Sequence, residues 1–208
     1  MTASDGLFSV LFVCTGNLVR SPIALESARS RWSALDPSIR FSSAGTYAID
    51  GAIPPEMAIT AADQIGVNVR NHRAQALTPE MVHSSDLILV AERSHRAEIA
   101  SMVPASSKYV FTLVQFARIA TALQASPYAI ANPVEDREAA LGFVSAVAQS
   151  RELSSIDGPD LDDIDDPFGR RQTDYDRAAA RIDGAVNHLL SALRGSRRFV
   201  VNSSRIPG

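Results

Sequence analysis

Cysteine, lysine and tryptophan occur once each in the 208 residues. A single thiol, Cys14, excludes an internal disulfide and points to a reducing compartment. Lys108 is the only lysine, so arginine carries nearly all the positive charge, and a net charge of -3 offers no overall basic field for nucleic acid. No apolar run reaches the length of a membrane span. The opening Met1-Thr2-Ala3-Ser4-Asp5-Gly6 lacks the charged-then-apolar pattern of a secretory leader. Together these absences predict a cytoplasmic protein with neither a membrane segment nor a nucleic-acid partner.

What is present suits an ordinary globular chain: 46% hydrophobic residues and a length that can bury a proper core. One domain is expected over residues 1–194, interrupted by a long connection at about 124–160 and followed by a basic, loosely attached tail at 195–208. No internal repeat is visible. The pattern alternates between strand and helix. Strands are expected at 8–13, 39–44, 86–91 and 108–111, and helices from Ser21 to about Leu35, after Pro54-Pro55 up to Gly66, after Thr78-Pro79, at 94–102, 112–123, 136–151 and 173–193. The helix after Pro55 would bury Met57, Ile59, Ala62 and Ile65, and the last helix Ile182, Val186, Leu189, Leu190 and Leu193. Repeated βα units predict an α/β fold of three layers, α/β/α, around a central four-stranded parallel sheet. Ligands of such sheets sit beyond the carboxyl ends of the strands, where Cys14 falls.

The segment Val10-Leu11-Phe12-Val13-Cys14-Thr15-Gly16-Asn17-Leu18-Val19-Arg20-Ser21-Pro22 concentrates chemistry at that place. An apolar run delivers the thiol to a turn, and a proline suited to a first helical turn follows soon after. A loop between a strand and a helix N-terminus aims several backbone N–H groups into one concavity, which fits a tetrahedral oxyanion. Arg20 adds a planar fork for two phosphate oxygens, and the same field favours the attacking thiolate of Cys14. A lone cysteine is ordinarily a small core residue. The conjunction of strand, Cys, Gly, Asn, Arg, Ser-Pro and helix argues instead for a nucleophile loop between strand 1 and helix 1.

Attack on a phosphate ester also needs an acid for the departing oxygen. Asp160, Asp162, Asp163, Asp165 and Asp166 crowd the stretch before Pro167-Phe168-Gly169. A solvated acidic loop is the plain reading, and the spacing of a calcium loop is missing. Asp166 stands out because Pro167 stiffens the backbone and Phe168 can wall a pocket. Mutual repulsion of the clustered carboxylates is expected to keep one of them protonated.

Val13-Cys14-Thr15-Gly16-Asn17-Leu18-Val19-Arg20-Ser21-Pro22 closely resembles the nucleophile loop of the low-molecular-weight protein tyrosine phosphatases of bacterial type. Ser42-Ser43-Ala44-Gly45-Thr46, Asn71-His72-Arg73-Ala74, Asp86-Leu87-Ile88-Leu89-Val90 and Asp166-Pro167-Phe168-Gly169 are similar to that family's segments in order and spacing. The resemblance covers about 7–115 and 163–194. It implies Cys14 as nucleophile forming a phosphocysteine, Arg20 with the amides of 15–20 as phosphate grip, and Asp166 as general acid and base. Thr15, Gly16, Asn17, Leu18, Val19 and Ser21 would line the phosphate site, Ser21 giving its hydroxyl to the sulfur. Tyr47 and Phe168 would flank the substrate's ring, while Asn17, Ser43 and His72 brace the loop. Neither metal nor cofactor is implied. The implied partner is a phosphorylated protein, a bacterial tyrosine kinase by family analogy. His83, His95 and His188 read as surface residues.

Several departures bear on substrate. Val19 stands where many members carry a second, protective cysteine, and Ile49 where a tryptophan is common. The acid loop reads Pro-Phe-Gly, as in relatives that hydrolyse phosphoarginine, which also resemble this chain around Lys108-Tyr109-Val110-Phe111-Thr112-Leu113. Those relatives typically place threonine where Leu18 stands, and an apolar residue there suits a phosphotyrosine ring. Phosphotyrosine is therefore the expected substrate, with protein-arginine phosphatase as the rival. Arsenate reductases share the loop but relay oxidation through two further cysteines, which this chain lacks. A non-catalytic phosphate-binding module would lack the nucleophile, arginine or acid, and all three are present.

Overall fold

Seven residues, Phe8–Cys14, form strand β1, and all but Ser9 are buried. Such a run has no polar face to give to water, so it must lie inside a sheet covered on both sides. The computed structural model, which describes residues 6–32, 38–125, 137–151 and 159–195, places β1 there. In chain order come β1, helix α1 (Arg20–Arg31), β2 (Ile39–Gly45), α2 (Glu56–Gln64), α3 (Pro79–His83), β3 (Leu87–Val90), α4 (Arg93–Met102), β4 (Val110–Thr112), α5 (Leu113–Ala125), α6 (Arg137–Ser150) and α7 (Gln172–Gly195). The strands are all parallel in the order β2-β1-β3-β4. The chain leaves β1 toward β2 and returns on the other side to β3, so the switch point lies at the carboxyl end of β1. Cys14 is there, in register with Gly45.

Alternate side chains of the sheet face opposite layers. Val10, Phe12, Leu87, Leu89 and Phe111 join the core built with α1, α5 and α7. Leu11, Val13, Ile88, Val90 and Val110 join a smaller core with Val82 of α3 and Ile99 of α4. The three-layer α/β/α architecture follows. The face of α7 carrying Ile182, Val186, Leu189, Leu190 and Leu193 is buried, as its 3.6-residue spacing predicts.

Boundaries differ in places. Helix α1 ends at Arg31 rather than near Leu35. Trp32 leaves helical geometry (φ -84, ψ 63) and is buried edge-on against Phe41, 6.4 Å between ring centres. Residues 33–37 lie outside those described. In α2 the buried residues are Ala58, Ala61 and Ala62, whereas Met57 is exposed and Ile59 and Ile65 are half-buried. This helix packs on α7, and close approach of two helices favours small side chains at the contact. Strand β4 begins two residues later than expected, after a 3-10 turn at Pro104–Lys108.

The described part of the long connection, α6, lies away from the sheet's carboxyl ends. Arg137 grips Asp86 at the start of β3 with Nη2–Oδ1 at 2.6 Å and Nε–Oδ2 at 3.1 Å. Arg151 donates to the Val110 carbonyl at 2.9 Å and covers the Phe111 ring at 3.7 Å. Residues 126–136 and 152–158, and the tail from 196, lie outside those described. No described helix is long and apolar enough to cross a membrane.

Gly45 is where β2 meets the loop after β1. A Cβ there would lie 2.5 Å from the Thr15 carbonyl oxygen and 2.7 Å from the Asn17 nitrogen, well inside contact distance. Gly45→Ala is expected to destabilise the fold by on the order of 1–3 kcal/mol. Activity should fall with it, because the displaced atoms belong to the loop. A thermal melt alongside steady-state kinetics checks both.

Candidate active site

The loop from Thr15 to Val19 connects β1 to α1, and its shape is set by Asn17. That residue has φ 51, in the left-handed region, which asparagine tolerates better than most residues. Its side chain is fully buried and every polar atom is used. Nδ2 donates to Ser21 Oγ at 2.8 Å and to Ser43 Oγ at 3.0 Å. Oδ1 accepts from the Gln75 amide at 2.9 Å and from His72 Nε2 at 3.2 Å. His72 Nε2 also lies 3.0 Å from the Asn17 carbonyl, so that nitrogen carries the proton.

Held this way, the loop leaves its own donors free. Among the described residues, no hydrogen bond takes up the backbone N–H groups of Thr15 through Arg20. Helix α1 has no side-chain cap and no acidic residue in its first turn, so the positive end of its dipole is left to a ligand. Pro22 falls in that first turn, where its missing N–H costs nothing. Cys14 Sγ is buried at the base of the loop, 3.0 Å from Ser21 Oγ. Because the Ser21 oxygen already accepts from Asn17, its hydrogen points to one of two acceptors, the sulfur or the Ala44 carbonyl at 3.3 Å.

The Arg20 guanidinium is buried and densely held. Nη1 bonds Glu92 and the Ile164 carbonyl, the latter at 3.0 Å. Nη2 reaches Thr15 Oγ1 at 3.2 Å and Asp166 Oδ2 at 2.8 Å. The structure thus brings Cys14, Arg20, Ser21 and Asp166 together from two ends of the chain. The acidic stretch does not act as one cluster. Asp162 pairs with Arg118 at 3.0 Å, Asp163 with Arg93 at 3.1 Å and Asp166 with Arg20. Separate arginine partners replace the carboxylate repulsion expected from the sequence. Asp165 is exposed, and the side chain of Asp160 lies outside those described. After Asp166, Gly169 adopts φ 74 and its amide meets the Tyr175 hydroxyl at 3.3 Å, turning the chain into α7.

Other expected residues divide. Tyr47 and Phe168 stand exposed on the two loops beside the site. Leu18 is half-buried against the larger core. The Val19 side chain is buried in that core, so only its backbone can line the phosphate site.

Three contributors escaped the sequence. His95, read as a surface residue, is buried, with Nε2 3.0 Å from Thr15 Oγ1. Its Nδ1 accepts from the Glu92 amide at 3.2 Å, so Nε2 is protonated and donates to the threonine. Thr15 Oγ1 therefore accepts from both His95 and Arg20, leaving its own hydrogen for a third group. Glu92 anchors Arg20, and Gln75 anchors Asn17. The available signal was position: Glu92 and His95 follow directly on a buried parallel strand, at the end of the sheet where ligands bind.

Burial lowers the affinity of both site histidines for protons. For His72 the Asn17 carbonyl pulls the other way, while Arg29 and Arg73 add to the lowering. For His95 burial leads, followed by Arg20. Both are therefore neutral in the native site, whereas the unfolded chain takes up protons below the ordinary value of 6.5. Stability is full above that value and is lost as pH falls from it toward the lowered native values. Thermal midpoints measured between about pH 7.5 and pH 5 should decline, and the decline should be shallower in His72→Gln and His95→Gln.

The profile of the family described as low molecular weight phosphotyrosine protein phosphatase matches residues 9–150. The probable low molecular weight protein-tyrosine-phosphatase EpsP of Ralstonia nicotianae is 36% identical over 105 residues, 50% of this chain and 70% of that protein. The protein-arginine-phosphatase of Bacillus subtilis is 32% identical over 107 residues, 51% of this chain and 71% of its own length. Among solved structures, the Erwinia amylovora tyrosine phosphatase AmsI superposes with a TM-score of 0.64 at 22% identity, covering 93% of this chain and 97% of its own. The arginine phosphatase YwlE of Geobacillus stearothermophilus gives 0.63 at 23%, covering 89% and 92%. These last two speak for the fold. The profile spans more than half of the sequence, nucleophile loop included, and on that ground the chain belongs to the low molecular weight phosphotyrosine protein phosphatase family.

Proposed function

We propose that the protein hydrolyses phosphotyrosine in proteins through a phosphocysteine at Cys14. The observation that carries this reading is the loop of unpaired N–H groups from Thr15 to Arg20 above a buried thiol. A phosphoryl dianion bound there takes up those donors and the Nη2 edge of Arg20, displacing Asp166 from it. The Cys14 thiolate attacks phosphorus, the bond from phosphorus to the tyrosyl oxygen breaks, and Asp166 gives its proton to that oxygen. Asp166 then accepts a proton from water, whose oxygen attacks phosphorus. The phosphorus–sulfur bond breaks, and the Ser21 hydroxyl stabilises the departing thiolate. Glu92 keeps Nη1 anchored throughout, so Arg20 holds its position while its other partner changes.

Leu18 decides between the two substrates that relatives' names record. Relatives called tyrosine phosphatases and one called an arginine phosphatase are similar to this chain to nearly the same degree. Leu18 is partly exposed beside the larger core, and an apolar side chain there, with Tyr47 and Phe168 to flank the ring, would suit the flat face of an aryl group and give a guanidinium no acceptor. Residues 1–194 act as one catalytic domain, residues 195–208 as a tail, and the reducing cytoplasm is the proposed location. The phosphorylated partner is a protein, with a bacterial tyrosine kinase as the favoured candidate on family analogy.

Cys14→Ser should abolish hydrolysis of 4-nitrophenyl phosphate; full activity in that variant removes the reading. Asp166→Asn should slow hydrolysis of poor leaving groups by about 10²–10⁴-fold while sparing activated aryl esters. Equal losses on both classes would assign the acid to a neighbouring aspartate. Leu18→Thr should shift relative kcat/KM from phosphotyrosine toward phosphoarginine peptides, as side-by-side turnover of the two would reveal.

A further inference from the structure

Of the eight large apolar side chains exposed among the described residues, five lie on the two segments that flank the site, Tyr47 to Met57 and the turn at Phe168. Beyond Tyr47 on the same loop, Ile49 is 77% exposed, Ile53 63% and Met57, at the start of α2, 43%. Phe168 is exposed on the second loop, and at the start of α7, four residues on, Gln172 Nε2 donates to the Met57 carbonyl of α2 at 3.0 Å. Single exposed apolar residues are ordinary, but a contiguous run beside a binding site is not.

Nothing in the loop's own folding requires these side chains. Backbone and side-chain hydrogen bonds hold it: Gly51 N to the Ala74 carbonyl at 2.9 Å, Ala74 N to the Ala52 carbonyl at 2.9 Å, and Ala76 N to Asp50 Oδ1 at 2.7 Å. Pro54 and Pro55 stiffen the passage from Ile53 to α2. The apolar track is thus held in place before anything binds, which lowers the entropy lost on binding.

We infer that Ile53 and Met57, continuing from Ile49, form a subsite for a large apolar side chain flanking the phosphotyrosine of the substrate protein. The inference rests on the phosphatase reading above and names the kind of segment that reading would act on. The phosphoryl group and its ring occupy the site, and the chain next to them lays an aliphatic residue along this track. Removing one such side chain from water is worth about a tenfold gain in kcat/KM.

The test uses the full chain and two phosphotyrosine peptides that differ only in carrying leucine or serine beside the phosphorylated residue. The unmodified protein should turn over the leucine peptides about tenfold more efficiently. In the double variant Ile53→Ser, Met57→Ser the two peptides should become equivalent, with 4-nitrophenyl phosphate hydrolysis unchanged as the measure of an intact site. Equal use of both peptides by the unmodified protein overturns the subsite, as does a leucine preference that survives the double substitution. Failure of the unmodified protein to hydrolyse any of the three compounds is the separate result that removes the phosphatase reading, and the subsite with it.

Discussion

One buried asparagine amide governs the geometry of everything around it. Asn17 takes a backbone conformation that few side chains accept, and four hydrogen bonds to its amide make that conformation the stable one. The partners come from α1, from β2 and from the segment after α2, so the loop is clamped from three directions. Because the clamp satisfies the side chain, the loop's backbone N–H groups are spared from internal bonding. A binding surface is created by giving the structural task to one residue and leaving the others unspent. Gly45 serves the same end by omission, since any side chain there would push the loop out of place.

Arg20 applies a different constraint. A buried guanidinium without partners would be costly. Here Glu92 and the Ile164 carbonyl hold one nitrogen, while the other is shared by Thr15 and Asp166. The two carboxylates are not equivalent. Glu92 caps the helix after β3 and is itself held there, its amide donating to His95 and its carboxylate accepting from Ser94 Oγ at 3.3 Å. Asp166 sits on a turn and is more exposed. The arginine therefore has one fixed anchor and one partner that a phosphoryl group can replace. This asymmetry lets a single cation both steady the site and greet the substrate.

How much of this could be read from sequence depended on how far apart the interacting residues lie. The nucleophile loop was legible because its strand, turn residues, arginine and helix start are contiguous. Asp166 was legible through the stiffness of Asp-Pro and through family resemblance. His95 was not, because its burial depends on Thr15, 80 residues away, and an isolated histidine carries no mark of its surroundings. The aspartates misled in the opposite sense: adjacent in sequence, they turn to arginines on three different elements. Met57 and the alanines of α2 show a further limit. Periodicity ranks residues by hydrophobicity, whereas a tight helix contact selects them by size.

Helix α6 carries an implication for how the protein can be held. Arg137 on Asp86 and Arg151 on the Val110 carbonyl fasten it where β3 and β4 begin, at the pole of the molecule away from the sulfur. A binder that seizes this helix leaves the catalytic mouth unobstructed. Tethering and turnover can then proceed at the same time, with neither event competing for the other's surface.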